Sequence, residues 1–298
     1  MKLLFVVNPI SGGVDKEPFL KSAKVLCNKY GVDYEIFKTT GKNDEKYLKL
    51  ILEKVNPDKV LSVGGDGTTL FTSIALLNTK YPMGIIPLGS ANGMATELFV
   101  NPDPVSALKD IIMSQIVAGL DMIVVNEKYY SMHIGDVGIN AQIVESYEKD
   151  KNRGMTTYAK YFIEELNRLN PFVSKIIANG EVIKKKGVMM AICNSKKYGT
   201  GIPLNINGNP MDGKFELVIV EKLDSSSLLK AGLSKFNERY HESQNSTVIS
   251  TKSAEIHFEK PRLLQLDGEV IGNFSKLIVG ILPGAIKFIT NKDNKFLK

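Results

Sequence analysis

Cysteine, histidine and tryptophan are scarce in this chain of 298 residues, which has two cysteines, three histidines and no tryptophan. Cys27 and Cys193 cannot build a disulfide framework, and no cluster of Cys and His has the spacing of zinc ligands. The composition therefore excludes a disulfide-stabilised secreted domain and a structural zinc module. We expect a protein of the reducing cytoplasm.

Long hydrophobic runs are also missing. A transmembrane helix needs about 20 apolar residues, whereas the longest apolar runs, such as Gly187–Cys193 and Leu277–Leu282, have the length of strands. The apolar run at the start, Leu3–Val7, is shorter than the hydrophobic region of a signal peptide. We therefore expect any contact with a membrane to be peripheral.

The excess of positive charge is small. Lys and Arg number 38 against 32 Asp and Glu, which gives a formal net charge of +6. This favours an anionic partner, such as a nucleotide phosphate or a membrane surface, but is too weak to indicate nucleic acid. The basic runs Lys184–Lys186 and Lys196–Lys197 are typical of solvated edge and loop charges, with a membrane-facing role as the alternative.

The first 115 residues alternate short β-branched runs with segments of helical period. Hydrophobic residues make up 43% of the whole chain, which is enough for the cores of about two domains of this length. The alternation predicts an α/β domain over residues 1–120, with a mainly parallel sheet and ligands at the carboxyl ends of its strands. The predicted strands are Leu3–Val7, Tyr34–Phe37, Lys59–Val63 and Met83–Ile86, and the predicted helices contain Phe19–Cys27 and Tyr47–Val55.

Closely spaced strands dominate from about residue 120 onward. Clusters of Gly, Asn, Asp and Pro separate them, which predicts an antiparallel β-sandwich over residues 121–282. Two helices, at about 156–169 and 226–239, interrupt the strands, and residues 283–298 can pack back on the first domain. The predicted strands are Asp121–Val125, Lys128–Ile134, Ile139–Glu145, Lys175–Ala178, Val188–Cys193, Phe215–Val220, Glu255–Phe258, Leu263–Leu266 and Leu277–Ile281.

The strongest local signal is a strand that runs into a glycine-rich loop, Gly64-Gly-Asp-Gly-Thr-Thr-Leu70. Backbone N–H groups of such a loop, and the helix that follows, can face a chain of phosphates. Asp66 would then bind Mg²⁺ or act on a proton, and Thr68 and Thr69 would cap the helix or bond phosphate oxygens. The alternative is a glycine-rich turn that Asp66 merely stabilises.

This loop resembles the nucleotide loop that diacylglycerol kinases share with sphingosine kinases, NAD kinases and phosphofructokinases. Further motifs, in the same order along the chain, are similar to those of the diacylglycerol kinase catalytic-domain superfamily. The similarity covers nearly the whole chain and implies a parallel sheet like that of NAD kinase and phosphofructokinase, followed by a β-sandwich. The motifs are Asn8-Pro-Ile-Ser-Gly12-Gly13, Ile86-Pro-Leu-Gly-Ser-Ala-Asn92, Asn126-x-x-Tyr129-Tyr130, Gly135-x-x-Gly138, Asp212-Gly213, Asp267-Gly-Glu269 and Leu282-Pro-Gly-Ala285.

The resemblance implies an ATP-dependent lipid kinase that uses Mg²⁺ and phosphorylates a diacylglycerol-like hydroxyl in a cleft between the two domains. It also implies peripheral contact with a membrane and no nucleic-acid partner. A homodimer is compatible with it. The residues implied in ATP binding lie in the first domain, at the ends of predicted strands. They are Asn8, Pro9, Ser11, Gly12, Thr39, Gly64, Gly65, Asp66, Gly67, Thr68, Thr69, Leu70 and Ser90.

Asp267-Gly268-Glu269 supplies two carboxylates in the β-rich half. If it lies in a strand, residues i and i+2 share a face, so both acids can point into one cleft, where mutual repulsion raises one pKa. The alternative is a hairpin turn with solvated acids. The resemblance implies that Glu269 accepts the proton of the lipid hydroxyl, with Asp267 as its partner and Asp66 supplied by the other domain.

The segment Gly208–Lys214 nearly matches a phosphate-binding Walker A loop, but Phe215 stands where Ser or Thr is required and a strand follows instead of a helix. The resemblance implies a different role, a structural Mg²⁺ held by Asp212 and by carbonyls near Asn209 and Lys214. Oxygen ligands suit this hard cation. A plain Asp-Gly turn is the alternative.

One loop departs from the family pattern. Bacterial diacylglycerol kinases usually have Gly-Thr-x-Asn-Asp, whereas this chain has Ser90 in place of Thr and Gly93 in place of Asp. The sequence therefore does not identify the lipid acceptor. Ser90 follows the fourth predicted strand and precedes a predicted helix, so its hydroxyl would cap that helix or face the nucleotide. Two further hypotheses are an NAD kinase, which also carries an Asn-Glu pair like Asn126-Glu127, and a non-catalytic ATP- or lipid-binding regulator on the same fold.

Overall fold

The computed structural model describes residues 1–138, 141–143, 170–197, 204–221 and 246–297. The chain divides into two compact units, Met1–Met122 with Pro283–Lys298, and Ile123–Leu282. The helices predicted near 156–169 and 226–239 lie outside the described residues. No helix among the described residues is both long enough and apolar enough to span a membrane.

The first unit alternates strands and helices. Each predicted strand and helix of this unit is present, with ends that differ by a few residues. The short helix α4 lies where a helix is predicted after Ser90. The helix α5 was not predicted, although Asp103 before it accepts a hydrogen bond from the Ser106 amide at 2.7 Å and Pro104 opens the helix, both recognisable start signals. The elements are β1 (Lys2–Val7), α1 (Glu17–Tyr30), β2 (Asp33–Lys38), α2 (Asp44–Val55), β3 (Lys59–Gly64), α3 (Asp66–Leu76), β4 (Met83–Pro87), α4 (Gly93–Glu97) and α5 (Pro104–Met113).

The strands of the first unit form a parallel sheet in the order β2-β1-β3-β4. Residues 3–7 of β1 and 60–64 of β3 are buried throughout, as expected of parallel strands covered on both faces. Since β2 lies on one side of β1 and β3 on the other, the connections reverse direction between β1 and β3. Ligands of open α/β sheets bind at such a reversal, outside the carboxyl ends of the strands.

The second unit consists mainly of antiparallel strands, two of which, β5 and β14, start or end in the first unit. The three lysines Lys184–Lys186 lie in β9, a strand that was not predicted. The elements are β5 (Val117–Val125), β6 (Tyr129–Ser131), β7 (Ile134–Gly138), β8 (Phe172–Ala178), β9 (Glu181–Gly187), β10 (Met189–Cys193), β11 (Phe215–Val220), β12 (Ser246–Thr251), β13 (Ser253–Leu266) and β14 (Glu269–Ile289).

The long strand β13 belongs to two ladders. Its first part, up to Phe258, pairs with β8, and its last part, from Leu264, pairs with β7. Irregularities in its pairing with β14 lie between these parts, and bulges of this kind let a strand pass from one sheet to another. One core fills the space between the ladders and contains, among others, Ile176, Ile192, Leu217, Ile256 and Leu277.

Three strand predictions need correction in this unit. The single strand predicted at Lys128–Ile134 is two, because β6 covers Tyr129–Ser131 and β7 begins at Ile134 and pairs with other strands. The two runs predicted at Glu255–Phe258 and Leu263–Leu266 are parts of the single strand β13. The strand predicted at Ile139–Glu145 is wrong where the structure describes it, because β7 ends at Gly138 and residues 141–143 are helical. Gly138 has φ +109°, and a Cβ there would lie 2.4 Å from the Val188 carbonyl oxygen, so the chain turns without room for a side chain.

Candidate active site

Three loops, which follow β1, β3 and β4, contact one another directly through glycine. A Cβ on Gly12 would lie 2.8 Å from the carbonyl carbon of Gly89, and a Cβ on Gly89 would lie 2.2 Å from the Cα of Gly65. Gly12 also has φ +64°, a conformation that other residues rarely adopt. Side chains at these positions would push the loops apart.

Hydrogen bonds reinforce this contact. The hydroxyl of Ser11, in the first loop, accepts a hydrogen bond from the Gly65 amide at 2.9 Å. Within the loops, Asn8 Oδ1 accepts from the Ile10 amide at 3.2 Å, and Asn92 Oδ1 accepts from the Gly89 amide at 2.8 Å. The three loops therefore form one continuous surface at the β1/β3 reversal.

Asp66 joins the loop after β3 to the helix after β4. Its carboxylate oxygens accept hydrogen bonds from the amides of Gly93 and Met94, each at 2.9 Å, so Asp66 caps the N-terminus of α4. Ser90, predicted to cap this helix or face a nucleotide, is exposed and makes no such cap. Each carboxylate oxygen of Asp66 can still accept a second interaction, because it has two lone pairs.

The hydroxyls of Thr68 and Thr69 point into the protein. Thr69 Oγ1 lies 3.3 Å from Ser62 Oγ, and Thr68 Oγ1 is buried beside Gly64, where a Cβ would come within 2.3 Å of it. The prediction that these residues cap α3 is wrong, because the helix already begins at Asp66 and its N-cap is Gly65. Their phosphate contact remains a prediction only.

The remaining candidate nucleotide residues lie near the same edge of the sheet. Thr39 follows β2, and its amide donates to the Val7 carbonyl at 2.9 Å, so it lies beside the first loop. Pro9 is exposed at the tip of that loop, and Leu70 is half-buried on α3. Gly67 is exposed, and a Cβ on it would meet nothing within 4 Å. The space over the first turn of α3 is therefore open.

Lys16 is a residue of this region that the sequence did not single out. It is 3% exposed, and its ammonium donates hydrogen bonds to the carbonyls of Ser11 at 2.6 Å and Val14 at 2.7 Å. Burial lowers the pKa of Lys16, and the nearby Asp15 carboxylate opposes the shift. The buried ammonium of Lys16 therefore stabilises the first loop through hydrogen bonds to its backbone. No sequence pattern marks such a lysine, because most lysines are exposed.

In the second unit, Asp267 and Gly268 form the two-residue turn between β13 and β14, where Leu266 pairs with Glu269. Both turn residues have positive φ, +50° and +90°, as in type I′ hairpins. The prediction of a shared strand face for the two acids therefore does not hold, because Asp267 is in the turn itself. The tight-turn alternative is the one observed.

The Asp267 carboxylate is an acceptor for the segment before β7. It accepts hydrogen bonds from Ser131 Oγ at 2.6 Å and from the amides of Met132 and His133 at 2.9 and 3.1 Å. Burial raises the pKa of Asp267, and these hydrogen bonds together with His133 oppose the shift. Repulsion by the second acid, Glu269, which is exposed, is therefore not the main cause.

The predicted cation loop is a tight turn before β11. Asn209 Oδ1 accepts from the Met211 amide and Asp212 Oδ1 from the Lys214 amide, both at 3.0 Å, and Gly213 has φ +75°. Within the described residues there is no group of three His, Cys, Asp or Glu side chains arranged for a metal. A site here would consist of one carboxylate with amide and carbonyl oxygens, which suits Mg²⁺ and not a transition metal.

Two family models match consecutive parts of the chain. Residues 2–125 match the diacylglycerol kinase catalytic domain, and residues 134–290 match the YegS C-terminal NAD kinase β-sandwich-like domain. The chain combines a diacylglycerol kinase catalytic domain with a YegS C-terminal domain, whose model matches more than half of the chain, and belongs to the family that this pair of domains defines. The predicted fold, an α/β domain followed by a β-sandwich, is confirmed.

Similar proteins extend over most of the chain. A diacylglycerol kinase of Bacillus subtilis is 21% identical over 285 residues, 94% of this chain and 90% of the relative. A protein of Salmonella dublin named probable lipid kinase YegS is 26% identical over 281 residues, 92% of this chain and 91% of the relative. A crystal structure of a diacylglycerol kinase from Bacillus anthracis has a TM-score of 0.74 at 21% identity and covers 98% of both chains, which shows the same fold.

The open position at Gly67 gives a sharp test of the nucleotide site. Gly67→Val should leave stability unchanged within about 0.5 kcal/mol, because the side chain enters open space. If phosphate approaches this turn, ATP affinity should fall more than tenfold, about 1.4 kcal/mol or more. Calorimetric titration with ATP and thermal unfolding measure the two effects.

Two comparison variants calibrate this result. Ser22→Val on the exposed side of α1 should change neither quantity. Gly65→Val should lower both stability and affinity, because its Cβ would lie 3.2 Å from Gly89 Cα and would disturb the loop contact. Normal ATP affinity in a folded Gly67→Val protein would contradict the site.

Proposed function

We propose that this protein is an ATP-dependent lipid kinase that transfers the γ-phosphoryl group of ATP to the hydroxyl of a diacylglycerol-like lipid. Membership of the diacylglycerol kinase catalytic-domain family supports a kinase. The proposal that the kinase binds ATP rests on one observation, the single surface that three glycine loops form at the β1/β3 reversal. The relatives named for lipid phosphorylation support the acceptor class.

In this proposal the first unit binds ATP. The loops after β1, β3 and β4 would hold the triphosphate against glycine backbone, and the N-terminus of α3 would attract its negative charge. Asp66 would retain lone pairs for Mg²⁺ while capping α4, and Mg²⁺ would neutralise phosphate charge. Phosphoryl transfer depends mainly on such positioning and charge neutralisation, so a rigid loop surface is what the reaction requires.

The second unit would supply the proton acceptor. In the β13–β14 hairpin the side chain of Glu269 is exposed, so a substrate can reach its carboxylate, and the hydrogen bonds of Asp267 with residues 131–133 fix the turn that precedes it. This favours Glu269 as the group that takes the hydroxyl proton of the lipid. Asp267 would act as a positioning residue that fixes the hairpin on which Glu269 is carried.

The acceptor is tested by incubating the protein with γ-labelled ATP, Mg²⁺ and fractionated cellular lipids, and by analysing the products by mass spectrometry. We expect a phosphorylated lipid alcohol. A parallel reaction with NAD⁺ as sole acceptor tests the NAD kinase hypothesis. ATP binding without label transfer to any acceptor would instead favour a non-catalytic regulator.

The assignment of the base is tested by Glu269→Gln. The substitution keeps size and hydrogen bonding but removes the basic oxygen, so kcat should fall by about 10²–10⁴ while ATP binding and the melting temperature stay near normal. Retention of more than about a third of kcat would exclude Glu269 as the base. Asp267→Ala is the contrasting variant, and it should lower stability by roughly 1–3 kcal/mol, because three donors lose their acceptor.

The cation site is tested by Asp212→Ala. Added Mg²⁺ should raise the melting temperature of the unmodified protein, since an ion that binds only the native state stabilises it, and this rise should be smaller in the variant. ATP affinity should be unchanged, because Asp212 and the nucleotide loops belong to different units. An equal response of both proteins to Mg²⁺ would place the ion elsewhere.

A further inference from the structure

The outer face of the β9-β8-β13-β14 ladder carries side chains that the core does not use. On the inner side, Ile176, Ile256 and Leu277 are fully buried. The residues that alternate with them, including Lys175 and Lys276, point outward and are exposed. This outer face is therefore a surface whose composition the packing of the sandwich does not dictate.

Four basic residues line up across this face. In the pairing register, Lys184 lies opposite Lys175, Lys175 opposite His257, and His257 opposite Lys276. Neighbouring strands are about 4.8 Å apart, so the row extends over about 14 Å. We call these four residues the basic row.

The basic row is not explained by the stability of the sheet. Like charges directly opposite each other destabilise strand pairing, and Lys175 faces Lys184 in this way. Glu255 compensates only one end of the row, with its carboxylate 2.9 Å from Lys276 Nζ and 2.6 Å from His257 Nε2. Among the described residues, no carboxylate pairs with Lys175 or Lys184.

Protection of a sheet edge explains only part of the row. Lysines on edge strands prevent unwanted pairing, and among the strands that the structure describes β9 pairs with β8 alone, so this reason applies to Lys184. Lys175 lies on β8, between β9 and β13, and Lys276 lies on β14, next to β13. The row thus continues onto interior strands, where edge protection has no purpose.

Three aliphatic side chains and one acid lie beside the basic row. Two residues away on each strand, Val182, Ile177, Glu255 and Ile278 are paired in the same order, and Ile177 is half-buried. Val182 is 61% exposed and Ile278 is 48% exposed. The face therefore combines a row of positive charge with adjacent aliphatic side chains, among which Glu255 is paired with His257 and Lys276, and this combination suits headgroup phosphates and the upper acyl region of a bilayer.

We propose that the basic row and its aliphatic neighbours Val182, Ile177 and Ile278 form the surface through which the protein docks on anionic lipid bilayers. The choice of a bilayer rests on the proposed function, since a lipid acceptor must be reached at a membrane. A second copy of the chain fits this face poorly, because it would bring two basic rows together. An acidic protein is the other class of partner that the charge would accept.

The test is sedimentation of the full-length protein with vesicles of phosphatidylcholine alone or with phosphatidylglycerol added. The unmodified protein should bind the anionic vesicles, and binding should weaken as salt is raised. Each lysine near an anionic surface contributes roughly fivefold to partitioning. Lys175→Glu combined with Lys184→Glu should therefore lower binding by at least about twentyfold, and Val182→Ser should lower the part that persists in high salt.

The matched control is Lys21→Glu with Lys24→Glu, an equal change of net charge on the exposed side of α1. It should retain most of the binding. Equal losses of vesicle binding in the two double variants would show that only the net charge of the protein matters, and would overturn the proposal. Unchanged vesicle binding of the Lys175/Lys184 variant would overturn it as well. Thermal unfolding checks that both double variants are folded. Increased self-association of the Lys175/Lys184 variant with normal vesicle binding would indicate that these lysines only protect the sheet edge, and would overturn the proposal.

Vesicle binding and catalysis are measured separately, so the two proposals can fail independently. The Lys175/Lys184 variant should phosphorylate a water-soluble short-chain diacylglycerol at the normal rate and long-chain diacylglycerol in anionic vesicles slowly. If no lipid is phosphorylated by any variant while the vesicle results hold, the proposed function fails and the docking surface stands. Binding to acidic protein but not to vesicles would replace the bilayer with that partner.

Discussion

The contact of backbone with backbone among the loops after β1, β3 and β4 is the constraint on which the candidate nucleotide site depends. Gly12, Gly65 and Gly89 approach so closely that a Cβ on Gly12 or on Gly89 would overlap main-chain atoms. Hydrogen bonds from Gly65 to Ser11 and from α4 to Asp66 then hold the three loops together. The three loops therefore support one another through contacts within the first unit.

Carboxylates in this protein repeatedly accept hydrogen bonds from backbone amides. Asp66 caps α4, Asp103 caps α5 and Asp267 collects the donors of residues 131–133. Such acceptors fix loops that glycine would otherwise leave flexible. An acid in a family motif can therefore be structural and chemical together, as we propose for Asp66, or mainly structural, as we propose for Asp267 beside the exposed Glu269.

The outer face of the sandwich is not constrained by packing in the way that its buried face is. The buried side of β8, β13 and β14 is mainly apolar, with Ser174 as a buried polar residue of β8, whereas the other side places basic residues opposite one another and pairs only His257 and Lys276 with a carboxylate, that of Glu255. A stable sheet does not require this arrangement, and packing does not restrict what the outward positions carry. Such positions are where a binding role can be added to a fold without cost to its core.

The sequence alone determined the fold class and the segments that build the site. The spacing of apolar residues, the positions of glycines between them and the order of the motifs located the strands of the first unit, the loop at Gly64–Gly67 and the acids of the hairpin. These features could be read from the sequence because each depends on residues close together in the chain. Local signals could not show that Thr68 and Thr69 turn inward, that Asp66 rather than Ser90 caps α4, or that Lys16 is buried under the first loop. Each of these depends on which distant segment lies alongside, as does the basic row, whose members are neighbours only through strand register. Tertiary structure decided them, because hydrogen-bond partners and burial are set by contacts between residues far apart in the chain.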